Sequence, residues 1–119
     1  MSQVCTISIY VKDLDESAEF YSGVLGLKVK QKMPYVVLLE HEGTDLVLCQ
    51  AEKPAAANYP EGSSVVLGFR TDNLAESIKL FRSKQVALIH QTPQDFPGGQ
   101  FVAFRDPSGN VHELLEFKR

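Results

Sequence analysis

The sequence is poor in the features that mark several large classes of protein. Its 119 residues include two cysteines and no tryptophan. Cys5 and Cys49 form no C-x-x-C pair and are too few for a disulfide scaffold, so small buried thiols are the simplest interpretation. This cysteine usage is typical of a reducing compartment, and we expect a cytoplasmic protein.

Positive charge and long apolar runs are also scarce. The formal net charge is −3, and Lys and Arg are scattered along the chain, so the basic surface that nucleic acid requires is not expected. No apolar run approaches the length that spans a bilayer, and the first residues lack the layout of a signal peptide. We therefore predict neither a nucleic-acid partner nor a membrane partner.

What remains is the composition of an ordinary globular protein. Hydrophobic residues make up 44% of the chain and charged residues 23%. A chain of this length is sufficient for one domain with its own core. The sequence therefore predicts a single domain over residues 1–119.

An internal repeat divides this domain into two modules. The segment DLDESAEFY from Asp13 is matched by NLAESIKLF from Asn73, and each begins with a residue that caps helices well. A Glu three residues after each cap gives the spacing of a capping box. Both segments place apolar residues on one helical face, and Gly26 suits the end of the first helix.

The repeat continues after the helices. YVVLLEHEGTDLVLCQ, residues 35–50, aligns without a gap with FVAFRDPSGNVHELLE, residues 101–116. Both read as strand, turn and strand, while the Pro- and Gly-rich stretch 90–99 predicts a loop. Each module is thus predicted as strand, helix and three strands, over about 1–52 and 63–119, with a connector at 51–62.

Alternation in the strand before each helix predicts which residues face the helix. In CTISIYV, residues 5–11, the apolar positions alternate with Thr6, Ser8 and Tyr10, which should lie on the opposite face. In VVLGFR, residues 65–70, alternation turns Val66, Gly68 and Arg70 away from the helix. Two such sheet faces placed together would form a cup for a ligand.

Two motifs carry a resemblance to a known family. VKDLDESAEFYSGVLGL, residues 11–27, and the later DPSGNVHEL, residues 106–114, resemble the vicinal oxygen chelate superfamily of glyoxalases, bleomycin and fosfomycin resistance proteins, extradiol dioxygenases and an epimerase. The resemblance covers nearly the whole chain. It implies an α+β fold in which two βαβββ modules form a half-open β-barrel cup, usually in a homodimer.

The resemblance also implies where metal ligands would lie. In metal-using members, four ligands, mostly His and Glu, come from the first and last strands of the two modules. The corresponding positions here are Thr6, Val47, Val66 and Glu113. Because three of these side chains are poor ligands for a divalent metal, we expect no metal cofactor.

Glu113 is therefore the central candidate. It is interpreted either as the anchor or general base of a ligand site, or as one partner of a salt bridge to Arg70 or another base. His112 alternates to the opposite face. The alternative to a metal-free protein is a noncanonical metal site that combines Glu113 with His90.

The remaining candidates are expected to line the cup. They are Thr6, Ser8, Tyr10, Val47, Cys49, Val66 and Arg70, with Phe96 from the predicted loop as a lid. Tyr10 and Arg70 could instead fill a vestigial cavity or the dimer seam, and Phe96 could pack against its own chain.

The leading functional hypothesis is a metal-independent protein that binds a compact, partly polar organic molecule. The alternative is a lyase, isomerase or dioxygenase that uses a displaced metal site or acid–base chemistry at Glu113. A third possibility is an interaction module whose cup is closed by side chains.

Overall fold

The structure, a computed structural model, describes residues 2–54 and 58–119. The chain divides into two compact units, Met1–Ala56 and Ala57–Arg119. The first unit contains β1 Thr6–Val11, α1 Leu14–Gly23, β2 Lys28–Met33, β3 Val36–Glu40 and β4 Asp45–Gln50. The second contains β5 Leu67–Arg70, α2 Leu74–Ser83, β6 Ala87–Leu88, β7 Gln94–Phe96, β8 Gly99–Arg105 and β9 Val111–Phe117. Part of the predicted connector, residues 55–57, lies outside the described residues.

The two units share one sheet topology. The first sheet has the order β1-β4-β3-β2 and the second the order β5-β9-β8-β6, with β7 paired to β8. In both, the strand before the helix runs parallel to the last strand, and the other neighbours are antiparallel. The repeat in the sequence is therefore a repeat of topology, and the predicted α+β fold of two modules is confirmed.

Both helices begin where the sequence predicts. Asp13 accepts a hydrogen bond from the Glu16 N–H at 2.9 Å, and Asn73 accepts one from the Glu76 N–H at 3.1 Å. In α2 the N–H of Asn73 itself is taken by the Thr71 hydroxyl at 3.2 Å. A neighbouring hydroxyl thus takes the bond that a capping box would assign to Glu76.

The helix of each unit covers one face of its sheet. In the first unit the buried positions include Val11, Tyr21, Leu39 and Leu48, which alternation and helical spacing place towards one another. Gly26 adopts φ +75°, which allows the chain to turn after α1 so that the Leu27 N–H reaches the Tyr21 carbonyl at 3.0 Å.

In the second unit His112 belongs to the core under α2. Its ring lies 5.5 Å from that of Phe69 and 5.6 Å from that of Phe104, and Phe104 in turn meets Phe81 of α2 at 5.0 Å. His112 is 3% exposed. The prediction that His112 and Glu113 face opposite sides of the sheet agrees with this placement, because neighbours in a strand alternate.

The second unit departs from the sequence prediction in two places. Pairing of β5 with β9 begins at Leu67, so Val66 lies before the strand and Val65 is 80% exposed. The stretch 90–99, predicted as a loop, contains β7, which pairs with β8 across a tight turn. Its Pro and Gly residues mark the ends of a short hairpin rather than an unstructured segment.

Within the described part of the chain, no helix has the length and hydrophobicity needed to cross a bilayer.

Candidate functional site

Glu113 lies in the middle of the sheet face opposite α2. In register, Gly68 of β5 is beside it on one side and Ala103 of β8 on the other. Both flanking residues are small, but Ala103 is fully buried and Leu115 Cδ1 lies where a Cβ of Gly68 would be. We call this surface the helix-free face of the second unit, defined by Gly68, Arg70, Phe101, Ala103, Glu113 and Leu115.

The partner of Glu113 is Tyr59. The Tyr59 hydroxyl donates a hydrogen bond to Glu113 Oε2 at 2.5 Å, the short distance typical of a bond to a charged acceptor. Burial, followed by this hydrogen bond and the charge of Glu113, raises the pKa of Tyr59 above its ordinary value of 10.0. Tyr59 therefore stays a phenol, and a donor, at neutral pH.

His90 stands beside Tyr59, with ring centroids 5.9 Å apart, and also meets Phe101 at 5.5 Å. Its Nδ1 accepts a hydrogen bond from the Ala103 N–H at 3.0 Å. An imidazole that accepts at Nδ1 carries its proton on Nε2. A metal bound at Nε2 would require the other tautomer, in which the proton is on Nδ1. That proton would point at the Ala103 N–H. His90 is therefore a poor second ligand for the predicted His90–Glu113 metal site.

Arg70 does not pair with Glu113. Its guanidinium carbon lies 4.9 Å from the ring centroid of Phe117, a cation–π contact. Leu115 leans over Gly68, since a Cβ built on Gly68 would lie 2.6 Å from Leu115 Cδ1. In place of the predicted salt bridge to Arg70 or another base, Glu113 accepts the hydrogen bond from Tyr59.

Phe96 lies in β7 and packs into a row of rings. It contacts Phe101 at 6.0 Å and Phe117 at 5.8 Å. This is the arrangement in which Phe96 packs against its own chain; a role as a lid stays a prediction. Val66 is half-buried just before β5.

The other predicted residues belong to the first unit. Strand β1 runs beside β4 with Ser8 opposite Val47 and Tyr10 opposite Cys49, and Thr6 is opposite Asp45. Val47 and Cys49 are half-buried, and Tyr10 is 55% exposed. These side chains share the sheet face opposite α1, as alternation predicts, but contribution to a ligand site stays a prediction for each.

A groove of about 310 Å³ lies at the end of the second sheet. Its walls are Asp95, Phe96, Gly99, Gln100, Glu116, Phe117 and Lys118. Two of its polar groups are already engaged, because Asp95 accepts from Gln100 at 3.1 Å and Glu116 accepts from the Leu74 N–H at 2.6 Å. Glu113 is the more promising centre, since its Oε1 has no hydrogen-bond partner among residues 2–54 and 58–119.

The sequence matches a family model over residues 3–114, that of the Glyoxalase/Bleomycin resistance protein/Dioxygenase superfamily. This chain belongs to that superfamily. The match spans both modules and agrees with the resemblance carried by the two motifs.

Three solved structures similar to this chain are described as a lyase, an antibiotic binding protein and a fosfomycin resistance protein. Lactoylglutathione lyase from Agrobacterium tumefaciens is 28% identical, with a TM-score of 0.72 and coverage of 98% of this chain and 94% of that one. TnmS3, an antibiotic binding protein from Streptomyces sp. CB03234, is 24% identical, with a TM-score of 0.76 and coverage of 99% and 98%. The fosfomycin resistance protein FosX from Listeria monocytogenes is 15% identical, with a TM-score of 0.82 and coverage of 99% and 95%. The latter two similarities show the fold alone.

The donors of this superfamily member do not fit a divalent metal. Thr6, Val47 and Val66 stand at three of the four positions that metal-using members are expected to use. Nor do three or more His, Cys, Asp or Glu side chains come together as a potential metal site anywhere in the described ranges. Glu113 alone would offer one carboxylate, which is already bonded to Tyr59.

Sequence reasoning missed Tyr59 and Phe101. The sequence places Tyr59 in the connector 51–62 and Phe101 in a predicted strand, and assigns neither a role in the site. Alternation places Phe101 on the same face as Glu113, so that signal was present in the sequence. No local pattern links Tyr59 to Glu113, because their contact joins residues distant in the chain.

Proposed function

We propose that this chain is a metal-independent small-molecule-binding protein that holds a compact, partly polar organic ligand against the helix-free face of its second unit. The observation that carries the proposal is the Tyr59–Glu113 bond. The Tyr59 hydroxyl orients the Glu113 carboxylate through Oε2. The other oxygen, Oε1, can accept a hydrogen bond from a ligand. The antibiotic-binding description of TnmS3 is consistent with binding as a function on this fold.

The aromatic side chains on this face supply the apolar part of the proposed site. His90 stands beside Tyr59 and Phe101 beside His90, and Leu115 forms an apolar wall over Gly68. Ligand sites commonly combine such apolar walls with a few polar groups that fix orientation.

The first test is metal binding. Protein purified without chelators is analysed for bound metal and titrated calorimetrically with manganese, nickel, zinc and iron. We expect no stoichiometric binding to the unmodified chain. A metal bound at one equivalent and lost in Glu113→Gln would overturn the metal-independent proposal.

The second test is ligand binding itself. A thermal-shift screen of small organic molecules should find compounds that raise the melting temperature of the unmodified chain, because a ligand that binds the folded state stabilises it. The increase should be reduced in Glu113→Gln. A broad screen with no stabilising compound would favour a pure interaction module instead.

A second candidate function is proton transfer by Glu113 without a cofactor. The specific observation is that Glu113 Oε1 has no hydrogen-bond partner among the described residues, as an acceptor of a substrate proton requires. Lactoylglutathione lyase is a similar protein, so formation or breakdown of S-lactoylglutathione is the reaction to assay. Turnover in the unmodified chain that disappears in Glu113→Gln, with the fold intact, would favour this candidate over simple binding.

A further inference from the structure

The electrostatics of the helix-free face define a ligand class more narrowly. Glu113 is half-buried, and within the two described ranges no Lys, Arg or His side chain forms an ion pair with it. Arg70, the base predicted from the sequence as its partner, lies over the Phe117 ring. A hydroxyl hydrogen bond orients the carboxylate but leaves its charge without a counter-charge.

The rings on this face form a continuous series, which we call the aromatic row. Tyr59, His90, Phe101, Phe96 and Phe117 follow one another with centroid separations between 5.5 and 6.0 Å. Arg70 occupies the Phe117 end of the row. Glu113 and Tyr59 lie at the other end, where none of the described residues forms an ion pair with the carboxylate.

We propose that the Glu113 end of the aromatic row binds the protonated amine of an organic ligand, with the apolar body of the ligand lying along the rings. This inference rests on the proposed binding function and specifies its ligand. The faces of aromatic rings attract cations, and Glu113 supplies the opposite charge. Tyr59 binds Oε2 of the carboxylate, which leaves Oε1 as the acceptor for the ammonium group.

The same arrangement disfavours ligands of other charge. A neutral ligand placed over Glu113 would remove water from the carboxylate without supplying a counter-charge, which is costly. An anion would also be repelled. The site therefore selects by charge as well as by shape.

The experiment compares ligands matched in shape and different in charge. Tryptamine, tryptophol and indole-3-acetate carry a positive charge, no charge and a negative charge on the same ring system. A second series uses phenethylamine, phenethyl alcohol and phenylacetate. Binding of each compound to the full chain is measured by ligand-detected NMR and calorimetry near neutral pH and at low ionic strength.

We expect each amine to bind roughly tenfold more tightly than its alcohol, with the acid weakest. Glu113→Gln should remove this difference. Glu116→Gln is the matched control, since it removes the same charge from the same strand while its amide oxygen can still accept from the Leu74 N–H.

The charge series in the unmodified chain tests the inference even if a variant fails to fold. Equal affinity for amine and alcohol, or a preference for amine that survives in a folded Glu113→Gln, would overturn the cationic ligand class while leaving the binding function standing. Failure of all six probes overturns this inference. Failure of the broad thermal-shift screen as well would overturn the binding function with it.

Discussion

The Tyr59 hydroxyl and Glu113 Oε2 are joined by a 2.5 Å hydrogen bond across 54 residues of chain. This bond ties the segment before β5 to the middle of β9. It also gives the lone acidic residue of the helix-free face a partner that is neither a metal nor a base. The consequences for stability and for the site can be measured separately.

Tyr59→Phe should lower the free energy of unfolding by about 1–2 kcal/mol, because a hydrogen bond to a carboxylate is lost. Chemical denaturation followed by circular dichroism measures the change. Tyr35→Phe is the control, since Tyr35 is 72% exposed and should change stability by less than about 0.5 kcal/mol. Equal effects of the two substitutions would show that the Tyr59–Glu113 bond contributes nothing to the folded state.

Two serines at equivalent positions of the repeat should respond in opposite directions. Ser77 Oγ shares a 2.6 Å hydrogen bond with Thr71, whereas Ser17 Oγ is buried with no hydrogen-bond partner in the described residues. In the first unit the position of Thr71 is taken by Val11, which offers no hydroxyl. Ser17→Ala should therefore stabilise the protein by about 1 kcal/mol and Ser77→Ala should destabilise it by a similar amount.

The measurement is the denaturant midpoint of each serine variant, which should rise for Ser17→Ala and fall for Ser77→Ala. If Ser17→Ala proves as destabilising as Ser77→Ala, the Ser17 hydroxyl has a partner that the structure does not contain.

Acid should weaken the fold through His112. Burial lowers the pKa of His112 from 6.5 to about 4, although the charge of Asp106 acts in the opposite direction. Between these two pH values the unfolded chain binds a proton that the folded chain does not, so stability falls as the pH falls. The loss over this window should be about 3 kcal/mol.

The contribution of His112 is isolated by substitution. His112→Leu should show a smaller loss of unfolding free energy between neutral pH and pH about 4 than the unmodified chain, whatever its stability at neutral pH. His41→Gln, on a turn of the first unit, serves as the control and should retain the full pH dependence. An unchanged slope in His112→Leu would count against a neutral buried imidazole.

Two glycines of the second sheet should differ sharply in their tolerance of alanine. Gly99 has φ +157°, and a Cβ there would meet the backbone carbonyl of Glu116, which cannot move without breaking the sheet. At Gly68 the obstacle is the tip of the Leu115 side chain, which can change rotamer. Gly99→Ala should therefore cost more than about 3 kcal/mol and Gly68→Ala about 1–2 kcal/mol.

Thermal unfolding of both variants measures this difference. Gly68→Ala also places a methyl group beside Glu113, so a weakened response to amine probes with a nearly normal melting temperature is expected. A Gly99→Ala protein as stable as the unmodified chain would contradict the described close approach of β8 and β9.

Much of the fold can be predicted from local patterns in the sequence. The caps Asp13 and Asn73, the turn glycine Gly26 and the alternation in β1 depend on neighbours in sequence, and each forms as predicted. The repeat doubles this information, because one module constrains the interpretation of the other. The short strand β7 was missed because Pro and Gly around Phe96 are equally compatible with a loop and with the ends of a hairpin.

The site depends far more on contacts between distant segments. Alternation in β9 was enough to separate Glu113 from His112, because the period of a strand is local. The sequence by itself thus determined the fold class, the repeated topology and the central carboxylate. Only the tertiary structure decided that Tyr59 binds that carboxylate, that Arg70 turns to Phe117 and that His90 accepts from Ala103, because each of these contacts joins residues whose separation no local pattern encodes.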